Sequence, residues 1–226
     1  MPERHPDLYT AWRPPFPEPP LEPASTALLI VDMQRGSADP AGAMCSKVRA
    51  AGLGERLGYY EARLKLITPN IARLLELFRR GAGEAIHIRI RSMTRDGRDR
   101  GPSHKRLGHL NLPDSEGALF VPGLEPIGDE LVFDKTAGSP FISTNLAYVL
   151  RNMGIRSLVV TGVVTTGCVL TTVTDAADLG FHVALVEDGC AALVEEMHQA
   201  AVRILRDVYA KVMSTEEVAA RLRRRP

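Results

Sequence analysis

Short apolar runs alternate with segments of helical period over residues 24–226 of the chain. The runs before Asp32 and at Ser157–Gly162 are nearly continuous in apolar residues, as in strands that are buried on both faces. Such strands, separated by helices and by no linker or repeat, predict a single α/β domain with a parallel sheet covered on both faces. Six strands are predicted: Ala27–Asp32, Glu84–Ile90, Glu130–Phe133, Ser157–Gly162, His182–Glu187 and Tyr209–Met213.

Helices are predicted between these strands. The longest has apolar residues at three- and four-residue steps, the spacing of one helix face. It contains Pro69, which either kinks the helix or lies in the first turn of a shorter helix capped by Thr68. The predicted helices are Leu64–Arg80, Thr144–Met153, Cys168–Leu179 and Leu193–Asp207.

The N-terminal segment differs in composition from the rest. Residues 1–23 contain eight of the sixteen prolines of the chain, and each proline removes a backbone donor and restricts φ. This composition predicts an extended, Pro-rich N-terminal arm over 1–23, followed by the domain at 24–226. Trp12 and Phe16 either pack onto the domain or a neighbouring subunit, or belong to a loosely held terminus.

The charge balance narrows the classes of partner. The chain has 28 Lys and Arg residues against 27 Asp and Glu residues and a formal net charge of +1, which favours neither nucleic acid nor a membrane surface. Its three cysteines, Cys45, Cys168 and Cys190, are too few and odd in number for a disulfide scaffold. No apolar run approaches the roughly 18 residues of a membrane span, and no signal core is present. We therefore expect a cytoplasmic protein.

Three reactive side chains follow strands in distant parts of the chain. Asp32 closes the first predicted strand, Lys135 follows the third, and Cys168 follows the fourth after a glycine-containing turn. The carboxyl ends of parallel strands meet at one edge of the sheet, where ligands bind. We therefore expect an acid, a cation and a thiol to converge at this edge.

Each of the three side chains has a catalytic and a structural interpretation. Cys168 at the start of a predicted helix would be favoured as a thiolate nucleophile, but a lone cysteine is also often a small buried residue. Asp32 would take the thiol proton as general base or cap the following loop. Lys135 would keep Asp32 ionised and stabilise the thiolate, or would be a solvated surface lysine. The predicted convergence favours the catalytic interpretation of all three.

Metal and nucleotide chemistry find little support in the sequence. The six histidines form no D-x-H, H-x-H or HExxH pattern, so we predict no catalytic metal. No glycine-rich phosphate motif follows the first strand, which argues against dehydrogenase and kinase classes. We predict no cofactor.

Two connections are long and polar. Residues 35–60 and 91–118 exceed the length of simple connections and are expected to form lids or subunit contacts. Arg91, at the start of the second, is placed to hold a substrate carboxylate through its guanidinium. Substrate specificity is expected to reside in these two connections.

Three motifs resemble those of the isochorismatase-like cysteine hydrolases. They are LLIVDMQ at 28–34, FDKTAGSPF at 133–141 and TGVVTTGCV at 161–169, and the similarity covers residues 24–215. This superfamily includes nicotinamidases, N-carbamoylsarcosine and ureidoacrylate amidohydrolases, and isochorismatases. The resemblance implies a three-layer, Rossmann-like domain with a six-stranded parallel sheet.

The resemblance also implies the parts of an active site. Asp32, Lys135 and Cys168 would form a catalytic triad. A cis peptide between Val163 and Val164 would direct the Val164 N–H, together with the Cys168 N–H, into an oxyanion hole. The residues expected to bind substrate are Gln34, Arg91, Phe141 and Thr165.

The reaction implied by the resemblance is hydrolysis of a C–N bond. Cys168 would attack the carbonyl carbon of a small amide, carbamoyl or ureido substrate, ammonia or an amine would leave, and water would hydrolyse the thioester. Nicotinamidases carry metal-binding histidines after the first strand, whereas residues 34–70 contain no histidine. The closest similarity in character is therefore to the metal-free amidohydrolases.

Two alternatives stay open at this point. The first is vinyl-ether hydrolysis, as in isochorismatases that dispense with the cysteine. The second is a non-catalytic ligand-binding or scaffolding protein, because a fold alone does not imply an activity. The resemblance and the arm also lead us to expect a homodimer or homotetramer.

Overall fold

The strands form one sheet in which all neighbouring pairs are parallel. The computed structural model describes residue 12 and residues 14–223. The strands are β1 (Thr26–Val31), β2 (Glu84–Ile90), β3 (Leu131–Lys135), β4 (Ser157–Val163), β5 (His182–Ala191) and β6 (Lys211–Met213). They form a six-stranded sheet in the order β3-β2-β1-β4-β5-β6, and every pair is parallel. The prediction of a single α/β domain with a six-stranded parallel sheet is confirmed.

The winding direction of the chain reverses between β1 and β4. The chain runs from β1 outwards to β2 and β3, then crosses to β4 and continues outwards on the other side. In such sheets a crevice opens beyond the carboxyl ends of the two central strands. Val31 lies opposite Ile88 of β2 and Gly162 of β4. The residues that follow Val31 and Gly162 are therefore neighbours at this edge.

Helices cover both faces of the sheet. They are α1 (Arg35–Ala38), α2 (Ala43–Ala50), α3 (Gly58–Leu77), α4 (Pro102–Arg106), α5 (Pro140–Ser143), α6 (Leu146–Asn152), α7 (Leu170–Asp178), α8 (Glu195–Leu205) and α9 (Thr215–Arg223). α3 and α9 pack with Leu28 and Ile30 of β1 in one apolar core. α6, α7 and α8 pack with Ala27, Leu29 and Val31 in the other. Within the described part of the chain, no helix is both long and apolar enough to cross a membrane.

Several strand ends differ from their predicted positions. β3 extends to Lys135 and β5 to Ala191, beyond the predicted ends at Phe133 and Glu187, while β6 begins only at Lys211. The added residues of β3 are charged, and those of β5 follow a register shift in its pairing with β4. Such residues do not belong to an uninterrupted apolar run along the sequence. The apolar pattern therefore ends before the strand does.

The longest helix continues through its proline. α3 begins at Gly58 and has Pro69 in its interior, so the shorter helix capped by Thr68 is wrong. The Thr68 hydroxyl instead donates to Leu64 O at 2.8 Å within the same helix. An interior proline costs about 3 kcal/mol of helix stability. Apolar side chains of α3 on both sides of Pro69 are buried in the core, and this packing offsets the cost.

The described part of the N-terminal arm packs against the domain. Pro19 is buried, and the carbonyl of Pro20 accepts a hydrogen bond from Ser157 Oγ at 2.7 Å. Phe16 lines a cavity against the start of β5, which favours packing onto the domain for this side chain. Residues 1–11 and 13 of the predicted arm lie outside the described residues, and the boundary at residue 23 stays a prediction.

The two long connections lie in contact with each other. Residues 35–60 are mostly helical, with α1, α2 and a 3-10 turn, whereas 91–118 are mostly irregular apart from α4 and a second 3-10 turn. The Lys47 ammonium in α2 donates to Leu107 O at 3.3 Å. Because the connections follow the carboxyl ends of β1 and β2, this contact lies at the edge of the sheet where a ligand would bind.

Gly162 is required where β4 passes β1. Its φ is +118°, and a Cβ at this position would lie 2.0 Å from Val31 O. We expect Gly162→Ala to lower the free energy of unfolding by more than the about 1–2 kcal/mol that left-handed backbone alone costs a non-glycine residue, because the strands must separate. Gly123→Ala is the matched control, since Gly123 has a φ of +86° and nothing within 4 Å of its Cβ. Equal losses for both variants in urea-induced unfolding would contradict this expectation.

Candidate active site

Asp32, Lys135 and Cys168 lie together at the carboxyl edge of the sheet. Asp32 follows β1, Lys135 ends β3, and Cys168 lies in a π-helical turn, Thr165–Val169, between β4 and α7. Lys135 Nζ lies 2.9 Å from Asp32 Oδ2 and 3.2 Å from Cys168 Sγ. The ammonium also donates to Ala137 O at 3.1 Å. The ammonium therefore contacts a carboxylate, a sulfur and a backbone carbonyl.

Lys135 reaches the centre of the sheet from an edge strand. β2 lies between β3 and β1, so two strand spacings, or about 10 Å, separate the backbones of Lys135 and Asp32. Only a long side chain spans that distance. The Lys135 side chain is fully buried, with 0% of its surface exposed, which excludes the alternative of a solvated surface lysine.

The backbone turns sharply at Asp32. Its φ is +52°, a left-handed conformation that aspartate and asparagine adopt more readily than other non-glycine residues. The Asp32 N–H donates to Ile88 O at 2.8 Å, which continues the pairing of β1 with β2. Only 1% of the residue is exposed, so the carboxylate depends on nearby charge for its stability.

Burial and the ion pair act in opposite directions on Asp32 and Lys135. Burial raises the pKa of Asp32 above its ordinary value, and the Lys135 charge opposes this shift without cancelling it. Burial disfavours the Lys135 ammonium, but the charges of Asp32 and Cys168 outweigh that effect and raise the Lys135 pKa. At neutral pH the two form an ion pair in which the carboxylate accepts a proton more readily than an ordinary aspartate.

The Cys168 thiol is protonated in the resting site. Burial, followed by the charge of Asp32, raises its pKa to about 12, while Lys135 acts in the opposite direction. The prediction that a helix N-terminus favours the thiolate is wrong for the resting site, because burial and the charge of Asp32 outweigh the effect of Lys135. Transfer of the thiol proton to Asp32 would leave a thiolate beside Lys135. One anion would then face one cation both before and after the transfer.

The peptide bond between Val163 and Val164 is cis, at the position that the motif resemblance implies. Val163 ends β4, and Val164 directly precedes the π-helical turn. The π-helical turn that carries Cys168 therefore begins one residue after this bond. The use of the Val164 and Cys168 N–H groups as oxyanion donors stays a prediction.

Gln34 holds three segments together and has no amide hydrogen left for a substrate. It is fully buried, and its Nε2 donates to Ile90 O at 3.0 Å and to Gly117 O at 2.7 Å. Its Oε1 accepts from Ile90 N at 2.6 Å. The prediction that Gln34 binds substrate is therefore wrong, because its amide ties the segment after β1 to the end of β2 and to the 91–118 connection.

Thr165 and Arg91 are also engaged within the protein. Thr165 is fully buried, and its Oγ1 lies 2.9 Å from His198 Nδ1. The Arg91 guanidinium donates to Pro113 O and to Asp134 Oδ2, each at 2.9 Å. The predicted substrate contact of Thr165 is corrected, because this buried residue anchors the π-helical turn that carries Cys168. Arg91 anchors the 91–118 connection to β3, but 30% of its side chain is exposed, and its contact with a substrate stays a prediction.

Phe141 keeps part of its surface exposed. It lies in α5, and its N–H donates to Ser139 Oγ, the N-cap of that helix, at 3.2 Å. Its ring centroid lies 5.9 Å from that of Phe181. Like Cys168, it packs at the margin of the second apolar core. A contact between Phe141 and a substrate stays a prediction.

Two buried histidines near the site were not assigned a role from the sequence. His104 in α4 is 4% exposed, and burial, followed by the charge of Lys135, lowers its pKa to about 4. His198 in α8 is fully buried and contacts Thr165. No sequence pattern marks either one, because their partners come from other elements. Within residue 12 and residues 14–223, no group of three or more His, Cys, Asp or Glu side chains is arranged to hold a metal ion.

The chain can be assigned to a family because a family profile matches most of its length. The profile of the Isochorismatase domain matches residues 26–217, a range that contains the whole sheet and all three residues of the site. The chain belongs to the isochorismatase family. The resemblance of the three motifs is thereby confirmed at the level of the family.

Relatives of this isochorismatase-family protein differ in their described activities. It is 31% identical over 201 residues to At3g16190 of Arabidopsis thaliana, described as a probable inactive nicotinamidase, with 85% of this chain and 94% of that protein covered. It is 28% identical over 189 residues to the ureidoacrylate amidohydrolase RutB of Rhizobium rhizogenes, covering 76% and 73%. The solved N-carbamoylsarcosine amidase from Thermoplasma acidophilum superposes with a TM-score of 0.65 at 25% identity, covering 85% and 97%.

Removing the Lys135 charge is expected to destabilise the fold in a pH-dependent way. In Lys135→Met, Asp32 stays buried without its counter-charge, which typically costs about 3–5 kcal/mol of unfolding free energy. The Asp32 carboxyl then binds its proton more tightly in the folded than in the unfolded state. Stability should therefore fall as the pH rises from 5 to 8, as measured by urea-induced unfolding.

The matched control is the double variant Asp32→Asn/Lys135→Met, which carries no charge at either position. It is expected to regain part of the lost free energy and to lose the pH dependence that comes from this site. A Lys135→Met protein that is as stable at pH 8 as at pH 5 would argue against a buried ion pair.

The thiol pKa also predicts how Cys168 reacts with iodoacetamide. Only the thiolate is alkylated, so a pKa near 12 makes the rate rise about tenfold per pH unit from pH 7 to pH 10 without a plateau. Cys168 should react ahead of Cys45 and Cys190, which are 0% exposed. Peptide mapping by mass spectrometry distinguishes the three. A plateau near the ordinary thiol pKa of about 8.5 would place the thiol in solvent, away from Asp32.

Proposed function

We propose that this protein is a cysteine hydrolase that cleaves a C–N bond of a small amide, carbamoyl or ureido substrate through a thioester intermediate. The observation that carries the proposal is one ammonium, Lys135 Nζ, in contact with both Asp32 Oδ2 at 2.9 Å and Cys168 Sγ at 3.2 Å. A nucleophilic thiol needs a nearby base and a cation. The ureidoacrylate amidohydrolase and the N-carbamoylsarcosine amidase among its relatives support the same reaction class.

Asp32 activates the nucleophile. Its raised pKa brings it closer to the pKa of the thiol than an ordinary aspartate would be. As the substrate carbonyl approaches, the thiol proton moves to the Asp32 carboxylate and Cys168 Sγ bonds to the carbonyl carbon. Lys135 faces the sulfur as well as the carboxylate, so its charge stabilises the thiolate while the proton is on Asp32.

The carbonyl oxygen takes up the negative charge during this attack. The N–H groups of Val164 and Cys168 are the proposed donors to it, and loss of one such donor lowers rates by about 100- to 1000-fold in comparable sites. The proton on Asp32 then passes to the leaving nitrogen. The C–N bond breaks, ammonia or an amine departs, and the acyl group stays on Cys168 as a thioester.

Water completes the cycle. Asp32, ionised again, takes a proton from a water molecule as its oxygen bonds to the thioester carbon. The C–S bond then breaks, the sulfur recovers a proton from Asp32, and the acid product leaves. The chain's own groups thus balance every proton in the reaction, and the substrate and water supply the remaining atoms.

A non-catalytic role on the same fold is the second candidate. The Arabidopsis relative at 31% identity is described as inactive, so membership of the family does not guarantee turnover. The contact of Asp32, Lys135 and Cys168 favours the enzyme, and a nucleophilic thiol favours C–N over vinyl-ether hydrolysis. A cytoplasmic location and a homodimer or homotetramer stay predictions.

Ammonia release from a panel of small primary amides, N-carbamoyl amino acids and ureido acids tests the proposal. We expect the wild type to hydrolyse at least one member. Cys168→Ser should lower kcat by about 1000-fold or more, because loss of a nucleophile removes the covalent route. Asp32→Asn should also lower kcat by orders of magnitude, and it retains a residue that adopts the left-handed backbone.

Cys45→Ala is the matched control, because Cys45 is a buried cysteine of the first apolar core, outside the triad. Its kcat should stay near that of the wild type. Turnover by Cys168→Ser at the wild-type rate would contradict the nucleophile assignment. Absence of ammonia from every compound, together with a Cys168 that does not react with iodoacetamide, would favour the non-catalytic role.

A further inference from the structure

A buried histidine connects the π-helical turn that carries Cys168, Thr165–Val169, to α3 on the other face of the sheet. We call this segment the nucleophile turn. His198 in α8 is fully buried. Its Nδ1 lies 2.9 Å from Thr165 Oγ1, and its Nε2 lies 3.0 Å from Arg63 Nη2. Thr165 is the first residue of the π-helical turn that carries Cys168. The imidazole therefore links Arg63 of α3 to the start of this turn.

The guanidinium determines which ring nitrogen carries the proton. An arginine side chain only donates hydrogen bonds, so His198 Nε2 must accept from Arg63. A neutral imidazole has one protonated nitrogen, which is then Nδ1. The His198 Nδ1–H therefore donates to Thr165 Oγ1. The direction of both hydrogen bonds follows from the presence of Arg63.

Arg63 is itself held by two backbone carbonyls. Its Nε donates to Cys190 O at 3.0 Å, and its Nη2 donates to Glu187 O at 2.6 Å, both in the last part of β5. α3 packs on one face of the sheet and α8 on the other. The hydrogen bonds of Arg63 and His198 thus connect the two helical layers at the edge where the nucleophile lies.

We propose that His198 is a positioning residue for Cys168: its Nδ1–H holds Thr165, and Arg63 keeps the imidazole in the tautomer that donates. The inference rests on the proposed function, in which Cys168 is the nucleophile. Movement of Thr165 would shift Cys168 Sγ from its place 3.2 Å from Lys135 Nζ. A misplacement of about 1 Å at a reacting atom costs up to about 100-fold in rate.

The surroundings of His198 keep its ring neutral. Burial, followed by the positive charge of Arg63, lowers the His198 pKa to about 4. Of the two side chains that hydrogen-bond to the ring, Arg63 is charged and Thr165 is not. At pH 7 the ring therefore offers a lone pair to Arg63 and a proton to Thr165, as positioning requires.

Two substitutions of His198 test its two hydrogen bonds one at a time. The amide nitrogen of asparagine lies near the position of histidine Nδ1, so His198→Asn keeps a donor to Thr165. The amide of glutamine lies near the position of Nε2, so His198→Gln keeps a partner for Arg63 and loses that donor. Thr165→Val removes the acceptor with little change in side-chain shape, whereas Thr165→Ser keeps it.

The test measures kcat and KM for ammonia release and the pH profile of Cys168 alkylation by iodoacetamide. In His198→Gln and Thr165→Val, we expect kcat to fall about 10- to 100-fold with little change in KM. The thiol would also leave its place beside Asp32 and Lys135, so its alkylation rate should level off below pH 10. His198→Asn and Thr165→Ser should keep the wild-type profile and most of kcat.

The proposal is overturned if His198→Asn and His198→Gln have the same kcat and the same alkylation profile. It is also overturned if Thr165→Val, shown to be folded by its thermal unfolding transition, has the alkylation profile of the wild type. Should His198→Gln fail to fold, the two Thr165 variants test the same hydrogen bond. Iodoacetamide needs no substrate. The alkylation profile therefore tests the positioning role of His198 even if no amide is hydrolysed. Failure of the positioning role can thus be distinguished from failure of the proposed function.

Discussion

The buried ion pair between Asp32 and Lys135 is the interaction on which the carboxyl edge of the sheet depends. A buried carboxylate or ammonium alone costs several kcal/mol, so neither side chain is stable here without the other. Their contact at 2.9 Å also ties the outer strand β3 to the central strand β1 across β2. The same two charges therefore link two strands of the sheet and supply the base and the cation of the proposed reaction.

This ion pair also governs the state of the thiol. Burial disfavours a thiolate, and a second anion beside a single ammonium adds to this, so the pKa of Cys168 rises to about 12. A substrate that draws the sulfur into a bond allows the proton to move to Asp32 while the charge count of the site stays the same. In the proposed reaction the thiolate therefore forms only when a substrate is bound, and the resting protein carries a protonated thiol.

Several polar side chains around the site hold segments of the protein together. Gln34 joins the segment after β1 to the end of β2, and Arg91 joins β3 to the 91–118 connection. Thr165 and His198 join the π-helical turn that carries Cys168 to α8. Rigid support of this kind is a physical requirement, because three groups from distant strands must stay within hydrogen-bonding distance of one another.

The sequence by itself determined the parallel sheet, because a strand buried on both faces is a local apolar run, and the convergence of Asp32, Lys135 and Cys168, because parallel strands share one carboxyl edge. The tertiary structure decided the rest. Whether Gln34 and Thr165 faced a ligand or the protein, and whether Cys168 rested as thiol or thiolate, depended on burial and on partners from remote segments. A pattern along the chain records only covalent neighbours, whereas hydrogen bonds and desolvation are set by the neighbours that folding brings together.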